Sequence, residues 1–388
     1  MVHNIQTFNA IDPAGIALLP DDSYHVDPAS TDPSAILLRS YKLHGMTFPE
    51  SLLAVGRAGA GVNNIPVEDL GKLGVPVFNT PGANANAVKE LVLAGMLLAA
   101  RNIPNAYDYV RQLKDEAELD EKVESGKKKF KGQELPMKTL GVIGLGAIGV
   151  KVANAALSLG MKVVGFDAFL TLDRAWELSS DVIKADSIEE LAAQCDFISV
   201  HVPLLDVTRN MLDEKLMKSC KKGATILNFA RDGIVNEVDI KALLDSEHLS
   251  CYVSDFPNRD LIGHPKCILL PHLGASTGEA ETNCAIMVCQ QIKEYLELGH
   301  IRNSVNFPNC KLSRKKGFRV GIINRNMPNM VGQISTILAS EEVNIINMVN
   351  KSKKELAYTL LDVNKDPGER TRSKLEEIEG VLKVRFIG

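Results

Sequence analysis

A glycine-rich turn sets the first chemical expectation. The segment Thr139-Leu-Gly-Val-Ile-Gly-Leu-Gly-Ala-Ile-Gly149 reads as an apolar strand, a turn carrying Gly144, Gly146 and Gly149, and a helix start. Asp167 follows eighteen residues after Gly149. The strand–turn–helix context makes the G-x-G-x-x-G spacing specific. Gly144 permits the tight turn, Gly146 lets backbone approach a pyrophosphate, and Gly149 lets the helix pack closely on the strand. The helix start offers free N–H groups and a positive dipole end to the phosphates. Asp167 ends the run Lys162-Val-Val-Gly-Phe-Asp167, and no Arg or Lys follows at 168–170. A carboxylate there accepts from ribose hydroxyls and repels a 2′-phosphate, so the expected cofactor is NAD(H) rather than NADP(H).

Hydride exchange with a nicotinamide requires a group that holds the substrate carboxylate, a group that exchanges a proton, and a group that supports the proton carrier. Arg231, in Asn228-Phe-Ala-Arg-Asp-Gly-Ile-Val235, follows an apolar strand and suits the first role, because a guanidinium binds a carboxylate at two points. His272 follows the run Cys267–Pro271 and precedes Leu-Gly-Ala-Ser276, and is the expected acid–base. His201 also ends a strand, where a structural or cofactor-contacting role suits it better. Asp260 is the expected partner of His272, and Asp255 is expected to face the nicotinamide. Upstream, Arg57-Ala-Gly-Ala-Gly-Val-Asn-Asn64 places Ala58, Gly59, Ala60 and Gly61 after a strand, where backbone amides can cradle a carboxylate or phosphate. Arg39, Lys42 and Arg57 add positive charge on that substrate side.

These residues need a scaffold that gathers strand ends. From Ser34 to Phe78, short runs such as 35–40, 52–57 and 75–78 alternate with helix-like segments, which predicts an α/β lobe with a parallel sheet. Ala83–Arg101 reads as an apolar helix, buried or at a subunit interface, and 108–132 as charged, exposed helix and loop. A second doubly wound lobe opens at Thr139, with strands ending near Asp167, His201, Asn228, Asp255 and His272, the carboxyl-end positions where open α/β sheets bind ligands. A long helix, 277–298, is expected to return to the first lobe, followed by a basic linker at 307–317. The order of runs in 318–388 predicts a small ferredoxin-like βαββαβ unit. The expected division is therefore 1–98 with 279–306 as a flavodoxin-like substrate lobe, 99–278 as a Rossmann-type lobe, and 318–388 as a separate domain.

Composition narrows the setting. A 388-residue chain with 45% hydrophobic residues and a net charge of −4 has no electrostatic bias toward nucleic acid or anionic membrane. The N-terminal residues lack a basic region and apolar core, so no signal peptide is read there, and the run 91–100 is too short to span a bilayer. Seven cysteines without C-x-x-C or metal spacing read as free thiols in a reducing cytoplasm, with no metal site.

Taken together, Arg39-Ser40, Gly56–Val62, Asn79–Glu90, the glycine turn, His201-Val-Pro203, Asn228–Arg231 and Pro271–Ser276 resemble the D-isomer-specific 2-hydroxyacid dehydrogenases over nearly the whole chain. The resemblance implies Arg231, an acidic residue and His272 as the catalytic set. It also implies NAD contacts from Ala147, Ile148, Asp167, His201, Val202, Pro203, Phe229, Ala230, Arg231, Asp255, His272, Leu273, Gly274 and Ala275. The implied reaction is NAD-dependent oxidation of the phosphorylated acid 3-phosphoglycerate at the head of serine biosynthesis. A glyoxylate or hydroxypyruvate reductase and a non-catalytic NAD(H) sensor are the alternatives. Two departures stand out: Asp260 occupies a position where the family usually has glutamate, and Asp232 follows Arg231 where a small residue is usual. The C-terminal unit resembles the amino-acid-binding module known as ACT, with Asn326 and Asn344 as candidate contacts for an effector such as serine. A homodimer or homotetramer is expected, through the apolar helix near 91–100 and the small module.

Overall fold

Short apolar runs separated by turns form three sheets in the computed structural model, which describes residues 2–314 and 317–387. The first holds β1 (His3–Phe8), β2 (Tyr24–Val26), β3 (Ala35–Leu38), β4 (Ala54–Arg57) and β5 (Val77–Phe78), all parallel, in the order β2-β1-β3-β4-β5. β1 and β2 lie before the stretch read as strands. Within β1 only Ile5 is buried, so its sequence carries no apolar alternation.

The second sheet holds β6 (Thr139–Ile143), β7 (Lys162–Phe166), β8 (Ile183–Lys184), β9 (Phe197–Val200), β10 (Ala224–Asn228), β11 (Leu249–Ser254) and β12 (Cys267–Leu269). Its order is β12-β11-β10-β9-β6-β7-β8, and every pairing is parallel. A parallel sheet puts all carboxyl ends on one edge, so the loops after β6, β7, β9, β10, β11 and β12 share that edge. Among the described residues no helix is long and apolar enough to cross a membrane.

The third sheet holds β13 (Phe318–Arg325), β14 (Ile345–Lys353), β15 (Leu356–Val363) and β16 (Val381–Ile387), antiparallel in the order β14-β15-β13-β16. With helices Met330–Ser340 and Gly368–Glu376 this is the expected βαββαβ arrangement.

The chain divides into two compact units, 1–84 with 278–388, and 85–277. This corrects the expected boundaries in two places. The helix Ala85–Ala100 belongs with the second sheet, because Val88, Val92 and Met96 share a core with Phe229 and Val253. A Cβ on its Gly95 would meet the Phe229 ring at 2.8 Å. The second correction concerns the C-terminal module, which is not set apart by a linker but shares a core with the first sheet and the helix Gly278–Leu298. Of the expected linker, positions 315 and 316 lie outside the described residues.

The reason is that the inner strands of the third sheet, β13 and β15, are buried on both faces. Val320, Ile322, Leu361, Val363 and Val384 pack with the module's helices, whereas the alternate positions Ile323, Tyr358, Leu360 and Ile387 pack with Tyr295 and Leu296. The second face also carries cations. Arg319 is fully buried, pairs with Asp362 (Nε–Oδ1 2.7 Å, Nη2–Oδ2 3.0 Å), and donates to the carbonyls of Leu298 and Leu312, each at 3.0 Å. Arg385 donates to the carbonyls of Tyr295 (3.3 Å) and Leu296 (3.1 Å). A helix leaves its last carbonyls unsatisfied and its C-terminus favours positive charge. Gly278–Leu298 has no basic residue in its last turn, so the module's arginines supply that cap.

Candidate active site

The glycine turn has the geometry a pyrophosphate requires. Gly144 sits at φ +93°, and a Cβ on Gly149 would meet the Gly144 carbonyl oxygen at 1.9 Å. Any side chain at 149 would therefore displace the turn from the helix. A Cβ on Gly146 would face open space. Gly146 is also the N-cap of helix Ala147–Ser158, with no side chain capping it, so the first helical amides remain open to an anion. Asp167 is half-buried, and its carboxylate accepts from the N–H groups of Leu145 (2.6 Å) and Phe169 (2.7 Å). Each oxygen keeps acceptor capacity for a hydroxyl.

His201 borders this turn, since a Cβ on Gly144 would meet its carbonyl at 2.8 Å. Its Nε2 lies 2.8 Å from Ser199 Oγ, and its Nδ1 is sealed from solvent with no partner among the described residues. Burial pulls the imidazole down to about 3. The ring is therefore neutral at physiological pH, which removes it as a competing proton donor. Val202 and Pro203 follow it on the same loop. An orphaned ring nitrogen beside a phosphate-competent turn fits a bound dinucleotide.

After β10, Asn228 fixes the arginine loop. Its Nδ2 donates to the Arg231 carbonyl (2.9 Å), and its Oδ1 accepts from the Ala230 N–H (3.2 Å). Phe229 and Ala230 are buried, whereas Arg231 is exposed. The guanidinium donates to the Ala230 carbonyl (2.7 Å), and among the described residues no carboxylate pairs with it. Asp232 therefore leaves Arg231 available.

After β11, Asp255 departs from expectation. It is 1% exposed, and its two oxygens accept from the N–H groups of Leu273 and Gly274, both at 2.7 Å. Its carbonyl accepts from the His272 N–H at 3.0 Å. Rather than facing open solvent toward a nicotinamide, Asp255 clamps the loop that carries His272, with Ala275 exposed just beyond. His272 itself has φ +57°, an uncommon left-handed conformation for a non-glycine residue. Its ring is exposed, lies 5.0 Å from the Phe256 ring, and has no hydrogen-bond partner among the described residues.

The expected Asp260–His272 pair is not formed: among the described residues no hydrogen bond or ion pair joins them. Asp260 sits in a turn closed by Asn258, whose Oδ1 accepts from the Asp260 N–H (2.7 Å). Asn258 is bound in turn to Glu237, a carboxyl that sequence reasoning missed. Burial, then Asp232, and to a lesser extent Asp260, raise Glu237 above the usual carboxylate range, against the lowering effect of Asn258. An asparagine two residues before an aspartate is an Asx-turn signal, which could have placed Asp260.

The other unit holds the cationic loop. Arg57 donates through Nε to the Arg39 carbonyl (2.9 Å) and through Nη1 to the Gly61 carbonyl. Asn79 Nδ2 holds the Ala60 carbonyl (2.6 Å), and the Thr80 N–H holds that of Gly59 (3.1 Å). Ala58 is buried, and its N–H bonds to the Leu38 carbonyl. Among the described residues the N–H groups of Ala60, Gly61 and Val62 have no partner, leaving consecutive donors for an anion. Lys42 is exposed, and Arg39 pairs with Glu281 at 2.7 Å.

The candidate effector residues are not brought together. Asn326 follows the end of β13, which pairs with Leu356, and Asn344 precedes the start of β14, which pairs with Val363. They lie at opposite ends of β15, roughly 25 Å apart at the usual rise per residue, so one small amino acid within one copy cannot touch both.

A seven-stranded parallel sheet of order 3-2-1-4-5-6-7 with a glycine turn after its first strand defines the doubly wound dinucleotide-binding class. Residues 93–274 match the family described as D-isomer specific 2-hydroxyacid dehydrogenase, NAD binding domain. A D-3-phosphoglycerate dehydrogenase of Haemophilus influenzae is 32% identical over 87% of this chain and 81% of its own. One of Methanocaldococcus jannaschii is 35% identical over 81% of this chain and 58% of its own, so the chain spans little more than half of that relative. The crystal structure of NAD+-bound 3-phosphoglycerate dehydrogenase from Entamoeba histolytica superposes with a TM-score of 0.62 at 25% identity, covering 79% of this chain and 99% of that one. The chain belongs to the D-isomer-specific 2-hydroxyacid dehydrogenase family, and its second unit carries the family's NAD-binding domain.

Proposed function

We propose that this chain is an NAD-dependent dehydrogenase that interconverts a D-2-hydroxy acid and its 2-keto acid, with 3-phosphoglycerate and 3-phosphohydroxypyruvate as the substrate pair. One arrangement carries the reading. The glycine turn, the Arg231 loop and the clamped His272 loop leave a single carboxyl edge of one parallel sheet. Bound at the glycine turn, a nicotinamide dinucleotide supplies or accepts hydride. Arg231, without a carboxylate partner, holds the substrate carboxylate by a two-point charge-assisted contact. His272 delivers a proton to the keto oxygen in reduction and removes it in oxidation. Asp255 holds the His272 backbone in place through the amides that follow it. The loop at 57–62, with Lys42 and Arg57, is read as the phosphate-binding element, beside Arg39 in its pair with Glu281. All seven cysteines are free thiols, which supports a reducing compartment such as the cytoplasm.

The phosphate assignment rests on that cationic loop and on the relatives' shared name. Steady-state reduction of 3-phosphohydroxypyruvate, hydroxypyruvate and glyoxylate with NADH tests it. We expect the phosphorylated keto acid to have the highest kcat/KM, by about tenfold or more, since a charge-assisted contact contributes on the order of 1.5–3 kcal/mol. Faster reduction of glyoxylate would overturn the substrate assignment and leave the dehydrogenase reading standing.

A further inference from the structure

We propose that a cavity of about 410 Å³ between the helix Gly278–Leu298 and the C-terminal sheet is a binding site for a small dianion, separate from the residues assigned to catalysis. Its volume lies within the range of small-molecule sites, roughly 300–1,000 Å³. Arg302, Lys311 and Lys351 line it, against the single carboxylate of Glu294. That carboxylate is committed to Arg302 at 3.5 Å. Among the described residues the side chains of Lys311 and Lys351 have no hydrogen bond or ion pair. The wall therefore carries two cations in excess.

The cations come from separate pieces of chain. Lys311 lies between the first unit's helix and β13, whereas Lys351 stands on β14 opposite Tyr358. Two ammonium groups lining one concavity repel each other, and a doubly charged anion between them removes that repulsion. Asn309 adds a neutral donor: its Oδ1 accepts from the Asn303 N–H at 2.9 Å, which turns its amide nitrogen to other partners. The floor is apolar and fixed, with Cys310 buried and its backbone joined to Ile301 in both directions. The chemistry is that of a phosphate monoester or a dicarboxylate. Glu294 and Leu298 in the wall belong to the helix whose first turn carries Glu281, the partner of Arg39. An occupant thus touches the same rigid element that holds a substrate-side arginine.

The test is calorimetric titration of the full chain with inorganic phosphate and, separately, with succinate, at fixed ionic strength. Phosphate also suits the loop at 57–62 and the glycine turn, and either anion suits Arg231, so the titrations use the Arg57→Gln, Arg231→Gln protein saturated with NADH, with and without Lys311→Gln and Lys351→Gln. Both lysines are exposed, and a thermal melt verifies that the variants fold. We expect at least one of the two dianions to bind at millimolar concentration, and the double lysine change to weaken it by about tenfold. Phosphate binding alone identifies the phosphate-ester class, and succinate binding alone the dicarboxylate class. Binding of neither, or binding that survives loss of both lysines, would overturn the proposal. The readout is independent of turnover, so its failure is distinct from failure of the dehydrogenase assignment.

Discussion

Replacing His272 with asparagine should lower kcat for keto-acid reduction by about 10²–10⁴-fold, the usual contribution of a positioned general acid or base. Asparagine is the informative choice because the backbone at 272 lies at φ +57°, a conformation asparagine adopts at lower cost than alanine. NADH affinity should stay within about threefold of the parent, because the loop is held by Asp255 through the amides of Leu273 and Gly274, not through the imidazole. Steady-state kinetics with a fluorescence titration of NADH separates the two effects. Undiminished turnover would remove His272 as the proton carrier. His201 offers no substitute, since burial leaves it neutral and Ser199 occupies one of its nitrogens.

Asp362→Ala should destabilise the protein by about 3–5 kcal/mol, which is a large share of a typical folding free energy. The substitution leaves Arg319 fully buried with its charge uncompensated. The same guanidinium caps Leu298 at the end of the long helix, so the loss falls on the joint between the module and the first sheet. Replacing both partners with apolar residues of similar volume should recover most of the loss, because the pair's desolvation disappears with its attraction. The midpoint of urea unfolding measures both variants. A shift below about 1 kcal/mol for Asp362→Ala would mean that the arginine reaches water.

Much of this was legible because glycine and strand-end chemistry are local. The turn at 144–149 and the carboxyl-end residues Asp167, His201, Asn228, Asp255 and His272 could be placed from sequence, since a parallel sheet gathers its strand ends whatever the packing details. Side-chain pairings were less legible. Sequence position points Asp255 at the cofactor, but it is buried and engaged by backbone amides, because its loop doubles back to residues almost twenty positions later in the chain. Spacing alone pairs Asp260 with His272, whereas the Asx-turn at Asn258 ties its loop to Glu237. The boundary of the C-terminal module is likewise hidden from the sequence order of its elements. Its sign was present in β15, where Ala357–Val363 is buried throughout without the alternation of a half-exposed strand. Such a run requires cover on both faces, and the second cover comes from a helix some sixty residues earlier.

Direct hydride transfer to C2 of a D-configured acid is the step on which the assignment of Arg231, His272 and the glycine turn depends. Reduction of 3-phosphohydroxypyruvate with NADH stereospecifically deuterated at C4, with the product examined by NMR and chiral analysis, tests it most directly. Deuterium is expected at C2 of the D isomer from one C4 epimer of the labelled cofactor, and protium delivered from the cofactor's unlabelled C4–H from the other. Solvent hydrogen at C2 with both labelled cofactors, or an L product, would contradict it.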